Sequence, residues 1–404
     1  MSPQPLALRS WFRIVPAALA LFALLAGAFP AEARAKRPAA PSILDDAAFR
    51  TEVQGGLDHL YAMDFAAAQT AFSHIEARYP GHPVGPFLRA LVPWWTLLLD
   101  PEDPRHDKEF LAAMDEVIRR SEARLRRNPD DMDGLFFRTG ASAFRARLHA
   151  FRRDWFKAGK DGQSALRNLR KLQRRDPQNV DLLFGVGLFD YLVDVVPRQH
   201  KFLRPVAILF PKGDRKRGLE ELHRAAREGQ FVHTEAHYAL FQVYMTFERD
   251  AGKALTEVSW LRKHHPENTL FKMAEGRVYA RQNRWAEASL VFQEVAERQV
   301  AGDPSYSGAL AQEALYWLAR GEMESGRYEG ALQYLDRLDY LAAEREWDPY
   351  YRAAGRLRRG MTYDVLGRRD EAVRCYREVL AIKGTGDVHD RAQEFLSRPY
   401  GRVS

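Results

Sequence analysis

The feature that most restricts this chain is a spacing that recurs along it. Gly56 and Ala68, Gly276 and Ala288, and Gly360 and Ala372 each stand twelve residues apart, and four residues after each alanine comes an aromatic: Phe72, Phe292 and Tyr376. Ala68, Ala165 and Ala254 are followed twelve residues on by Pro80, Pro177 and Pro266. These offsets describe a helical hairpin. Small residues where two antiparallel helices cross let the axes approach to roughly 8–10 Å. The aromatic fills the space beside the crossing. Proline, which lacks a backbone N–H, ends the second helix and suits the opening of the next. Such a hairpin has an apolar face it cannot bury alone, so consecutive hairpins stack.

The turn between the helices recurs as well, as YAMDFAAA (61–68), FERDAGKA (247–254), RQNRWAEA (281–288), ESGRYEGA (324–331) and VLGRRDEA (365–372), each ending on an alanine. The register is uneven. Ala288 to Ala331 is 43 residues, and Gly140 precedes Ala165 by 25, so that hairpin needs a long first helix or an inserted turn. Residues 85–129 read as a further hairpin without the small-residue signature.

These residues resemble the tetratricopeptide repeat (TPR), and the resemblance covers most of residues 46–382. It implies an all-α fold, an α-α superhelix of about seven helical hairpins filling residues 46–400. Residues 183–219 resemble more particularly the family of tetratricopeptide repeat protein 39 and the fungal outer-mitochondrial inclusion-body clearance protein. There an apolar helix ends in VVP, an apolar linker follows, and GDRxxGL restarts a helix. The segment is also similar to exported bacterial TPR proteins of no established role.

The start of the chain is read separately. Arg9 and Arg13 precede an uncharged apolar run over 14–29, Pro30 breaks it, and Ala31-Glu32-Ala33 has the small-x-small form of a cleavage site. Residues 1–33 are therefore expected to be a signal peptide and 34–45, with two prolines, a flexible lead. Sixteen apolar residues fall short of the roughly 20 that span a bilayer. The protein is expected to be exported to the periplasm. No cysteine adjoins the apolar run, which argues against a lipoprotein anchor; the sole cysteine, Cys375, reads as a packed small hydrophobe.

Catalytic signatures are missing. The sequence has no GxSxG elbow, no GxxxxGK[ST] loop and no GxGxxG fingerprint. His233 and His237 share a helix face at i and i+4, a zinc-compatible spacing, but lack the glutamate placement of a metalloprotease and read as ordinary helix-start residues. The expectation is a scaffold without catalysis, cofactor or metal that binds a protein or peptide partner.

Counting from the glycine, the resemblance places Phe144, Arg145, Tyr191, Arg277, Arg281 and Arg320 on the first helices that line the groove of such proteins. Arginine and aromatic residues dominate binding surfaces. An alternative uses charge. The chain carries a formal net charge of +7. Residues 138–175 hold twelve Lys/Arg against two Asp/Glu, and residues 197–217 hold seven against one. Within the latter, Lys201, Arg204, Lys212, Arg215, Lys216 and Arg217 flank the apolar run Pro205 to Phe210. That combination suits peripheral contact with anionic lipid through segment 138–217. Nucleic acid would match the charge but sits badly with export, so no nucleic-acid partner is expected.

Overall fold

A computed structural model describes residues 42–199, 211–343, 349–382 and 386–401. The expected signal peptide, the first residues of the lead, and Lys201 and Arg204 lie outside these residues. No strand occurs among the described residues; the elements are helices joined by short turns. Among the described residues eight hairpins follow one another, where the spacing suggested about seven. They are α1 (Ala47–Tyr61) with α2 (Phe65–Arg78), α3 (Val84–Leu99) with α4 (Asp107–Arg127), α5 (Met132–Phe151) with α6 (Trp155–Arg175), and α7 (Asp181–Gln199) with α8 (Arg215–Glu228). Then come α9 (His233–Val243) with α10 (Ala251–His264), α11 (Thr269–Arg281) with α12 (Trp285–Val300), α13 (Gly308–Glu324) with α14 (Tyr328–Ala343), and α15 (Pro349–Val365) with α16 (Arg369–Ala381). A closing helix, α17 (Asp387–Ser397), ends the array. The fold is an all-α helical solenoid of the expected kind.

The crossings stand where the spacing put them. A Cβ placed on Gly56 would lie 2.5 Å from the ring of Phe72, one on Gly276 2.7 Å from Phe292, and one on Gly360 2.5 Å from Tyr376. Only glycine leaves room for the aromatic to lie flat on the partner backbone. Ala68, Ala254, Ala288, Ala331 and Ala372 are all fully buried.

The turns share one conformation. Met63, Arg153, Arg249, Asn283, Gly326 and Gly367 all have positive φ, and each stands five residues before a buried alanine. That register corrects one assignment: in the α5–α6 hairpin the turn alanine is Ala158, packed on Ala150, and Ala165 lies two turns further along. The two helices there have 20 and 21 residues, which accounts for the long glycine-to-alanine interval. After the positive-φ residue, Asp64, Asp154 and Asp250 accept hydrogen bonds from the amides of Ala67, Lys157 and Lys253 and cap the second helix. Later hairpins carry Arg284 and Arg368 at this position, which pair with Glu287 and Glu371 in the first helical turn.

Two compact units are distinguished, residues 42–97 with 104–261, and residues 98–103 with 262–401. In the first, Asp133 is almost fully buried and ties three segments together. It accepts from Ser42 Oγ and from Arg124 Nη2 (3.1 Å), and lies 3.3 Å from His82 Nε2. Ser42 caps a 3₁₀ turn, Ile43–Asp45, so the last residues of the expected flexible lead are fixed in place. In the second unit the core runs through α13, nearly every residue of which is buried.

Candidate partner-binding surfaces

The predicted side chains divide into those that hold repeats together and those that leave chemistry unspent. In the first unit, Phe144 packs edge-on against Trp94 (5.1 Å between centroids) and Phe87 (5.9 Å). Trp94 stacks on Phe151, and the guanidinium of Arg147 lies 4.9 Å above Trp94. Trp94 and Trp95 are both core residues, so neither is available for stacking on a partner. Arg145 pairs with Asp161 (3.1 Å) and Asp115. Phe144 and Arg145 therefore spend their surface between hairpins.

Tyr191 is fully buried and offers no binding surface. Its hydroxyl donates to Glu248 Oε1 at 2.5 Å, and Arg215 Nε donates to the same oxygen at 2.8 Å. Burial, with the Glu248 carboxylate beside it, pushes the Tyr191 phenol well up. Glu248 reaches both groups from a π-turn, Tyr244–Glu248, that ends α9. Arg217 Nε donates to Asp190 Oδ2 at 2.8 Å. Below these pairs α7 and α8 cross almost backbone to backbone, since a Cβ on Gly187 would meet the Gly218 carbonyl oxygen at 2.8 Å. Two of the six cations offered for lipid contact, Arg215 and Arg217, are thus tied to carboxylates of the fold although they are half exposed, and Lys212 and Lys216 are exposed as well. The helix expected to end at Pro197 continues through it to Gln199.

His233 and His237 both lie on Trp260, His237 stacked at 3.9 Å, and His237 Nδ1 is 2.6 Å from Glu257 Oε2. That histidine is a packing and hydrogen-bonding residue of the α9–α10 hairpin. Burial pushes the Cys375 thiol up to about 11, away from reactivity.

In the second unit Arg277 is nearly buried and grips Glu313 with both arms, Nη2 to Oε2 at 2.6 Å, while Trp317 Nε1 donates to the same carboxylate at 3.2 Å. This is a bolt between successive first helices. Arg281, at the end of α11, is half-buried. Arg320 differs: its guanidinium sits 5.3 Å from the Trp285 ring and 5.4 Å from the Trp317 ring, and among the described residues its carboxylate contact is Glu324 at 3.4 Å.

Two neighbours that offset counting passed over extend this arrangement. Arg358 of α15 is buried; its Nη2 donates to the Tyr316 hydroxyl at 2.9 Å, its Nη1 meets Met323 Sδ at 3.6 Å, and its Nε has no hydrogen-bond partner among the described residues. Arg391 of α17 lies 5.3 Å from the Phe395 ring and 3.9 Å from Met361 Sδ. Burial lowers the affinity of Arg320 and of Arg391 for their protons, and the charge of Arg358 adds to the effect at both. Counting from the glycine missed Arg358 because it stands two residues before Gly360, and missed Arg391 because α17 lies beyond the repeat pattern. The run RLRRG (356–360) was the available signal.

Residues 179–337 match the model of the family described as Iml2/Tetratricopeptide repeat protein 39. No curated protein sequence matches the chain. Among solved structures, similarity extends to a tetratricopeptide repeat protein from Parabacteroides merdae (10% identity, 86% of this chain and 96% of that one, TM-score 0.27). It extends also to yeast Tom70 (13% identity, 86% and 94%, TM-score 0.29) and to the P58(IPK) TPR domain (16% identity, 87% and 99%, TM-score 0.24). The repeat geometry and the family match over residues 179–337 carry the likeness to tetratricopeptide-repeat proteins.

Proposed function

Because this chain is a tetratricopeptide-repeat protein, we propose that it is an exported, non-catalytic scaffold that binds a protein or peptide partner along the first helices of its repeats. The observation that carries this reading is the face of α13, α15 and α17. There Arg320, Arg358 and Arg391 rest on aromatic rings, the residue types and the desolvated setting that dominate protein interfaces. Arg145 and Arg277 of the first-helix set are consumed by internal pairs, which favours this face as the binding surface. Export is supported by the basic start, apolar run and small-x-small end of residues 1–33.

Two measurements test the proposal. N-terminal sequencing of the native protein is expected to begin near Arg34 or Lys36; a start at Met1 would sink export. Crosslinking in the intact envelope, followed by recovery of the full chain, is expected to join partner peptides to α13, α15 and α17. Crosslinks confined to second helices, or none to any protein, would remove the scaffold reading.

A further inference from the structure

Many cations of the first unit are answered by carboxylates of the same fold. Arg138 pairs with Glu122 (3.0 Å), Arg145 with Asp161 and Asp115, Arg152 with Asp107 (2.5 Å), and Arg215 and Arg217 with Glu248 and Asp190. Helix α6 is different. It carries seven Lys/Arg against one acidic residue, Asp161, which is buried and turned to Arg145. Arg167, Arg170, Lys171 and Arg174 stand at i, i+3, i+4 and i+7, so they share one face of the helix over about 10 Å. All four are exposed, and none makes an ion pair among the described residues. The second helix α14, by contrast, sets Arg337 against Glu329, Asp336 and Asp339, so an unanswered basic face is not general to the repeats.

The ends of the neighbouring second helices enlarge this face. Arg175 Nη2 lies 2.5 Å from Asp130 Oδ2, just past α4, and Asp181, which opens α7, accepts from the amides of Gln230 (2.7 Å) and Phe231 (3.1 Å), just past α8. The C-terminal ends of α4, α6 and α8 are therefore gathered on one edge of the unit, where Arg127 and Arg227 are exposed as well. The carboxylates of this edge are engaged: Asp130, Asp176 and Glu228 hold Arg175, Asn179 and Arg224. Cations in a last helical turn also suit the helix dipole, an effect confined to that turn. Arg167 and Arg170 stand eight and five residues before α6 ends at Arg175, so the dipole does not account for them.

We propose that this edge is a docking surface for an anionic lipid bilayer, with Arg167, Arg170, Lys171 and Arg174 at its centre. It lies on second helices, apart from the first-helix face proposed for the partner, and the two readings stand or fall separately. The chemistry selects the occupant. The core of a protein interface is depleted of charge and rich in aromatic groups, whereas these four positions are cationic throughout. Single-stranded nucleic acid is held by aromatic side chains that stack on its bases, and the face these four residues form carries no ring. Cations spread over three helix ends answer negative charge distributed over an area. Clusters of about four to eight Lys or Arg on an amphipathic helix are a signature of attachment to anionic headgroups. Such attachment is peripheral and fades with salt.

The test is flotation of the full chain with vesicles of phosphatidylcholine alone and of phosphatidylcholine mixed with phosphatidylglycerol, at low and at high salt. Attachment through the apolar run 14–29 acts on both vesicle types, so the ratio between them is the readout. The parent is expected to prefer the anionic vesicles and to lose that preference at high salt. Each cation near an anionic surface contributes about fivefold in partitioning. The variant Arg167→Gln/Arg170→Gln/Lys171→Gln/Arg174→Gln is therefore expected to lower partitioning onto anionic vesicles at least about a hundredfold, with an unchanged melting curve because all four side chains are exposed. A second variant, Lys263→Gln/Arg337→Gln/Arg374→Gln/Arg377→Gln, removes the same charge from exposed positions of the second unit and should keep the preference. No preference for anionic vesicles at low salt overturns the proposal on the unaltered protein alone. Equal losses in the two variants would mean net charge without a docking edge and overturn it as well. A labelled oligonucleotide held more tightly than the anionic vesicles, and released by the α6 variant, would reassign the edge to nucleic acid and overturn it too.

Discussion

The crossing of α7 and α8 makes a sharp test of how the repeats are held. A Cβ added at Gly218 would lie 2.6 Å from the Tyr191 amide nitrogen, 2.7 Å from the Gly187 carbonyl oxygen and 2.9 Å from Tyr191 Cβ. Two of these are main-chain atoms and the third is fixed to the main chain, so no rotamer change relieves the contact. Reaching ordinary van der Waals separation would require the helices to part by about 0.8 Å at that point. Overpacking of this type costs about 1–3 kcal/mol, and replacing a helical glycine by alanine returns roughly 1 kcal/mol. Parting the helices also stretches the Arg217–Asp190 and Arg215–Glu248 pairs beside the crossing. Gly218→Ala is therefore expected to lose about 1–2 kcal/mol. Gly55→Ala, mid-helix in α1 with nothing within 4 Å, should gain up to about 1 kcal/mol. Urea denaturation followed by circular dichroism gives the magnitude. Hydrogen exchange gives the location, and because stacked repeats couple chiefly to neighbours, lost protection should concentrate in residues 181–228. A Gly218→Ala protein as stable as the parent would refute the close-crossing argument.

Three further outcomes are expected. Arg277→Met leaves Glu313 buried without its cation and should cost about 3–5 kcal/mol, most of it recovered in the Arg277→Met/Glu313→Leu double variant; equal instability of single and double would contradict the bolt. Burial, followed by the charge of Asp190, pushes the Glu221 carboxyl up to about 7, and its Oε2 is buried without a partner. A raised folded value means that the neutral form stabilises, fully so below the ordinary carboxyl range, and that this stabilisation is lost as pH rises through about 7. Glu221→Gln should then raise stability by about 2 kcal/mol near pH 8 and leave it unchanged near pH 4; the same gain at both pH values would exclude titration as the cause. Arg217→Gln exposes a buried Asp190 charge and should lower stability by about 1–3 kcal/mol without vesicles present. Lost flotation on anionic vesicles at unchanged stability would instead return Arg217 to a lipid-facing role.

The hairpins were legible in the sequence because their determinants are local. A crossing needs a small residue opposite an aromatic, and the twelve-residue interval between Gly276 and Ala288 encodes that without reference to the rest of the chain. Helix-ending prolines and the aspartates that cap second helices are equally local. The roles of individual arginines were not legible. Arg277 meets Glu313 36 residues away and Arg215 meets Glu248 33 residues away; composition cannot separate these from Arg320, which meets rings. Tyr191 illustrates the same limit: an offset from a glycine gives a helix face, but whether that face points at a neighbour or at open space depends on the next hairpin. The π-turn that brings Glu248 to Tyr191 has no sequence signature of its own.

The shared turn conformation has a consequence for how such a protein can change. Six turns place a residue at positive φ, and only Gly326 and Gly367 do so without a side-chain penalty; Met63, Arg153 and Arg249 carry a cost of roughly 1–2 kcal/mol each, and Asn283 less. Each of those turns is a reserve of stability that a single glycine or asparagine substitution releases, at a site remote from the first-helix faces. Folding margin and recognition surface are thereby under separate control. A lineage carrying this architecture can alter Arg320, Arg358 or Arg391 to follow a changing partner and restore the lost margin at a turn, so drift in the ligand need not erode the fold that presents it.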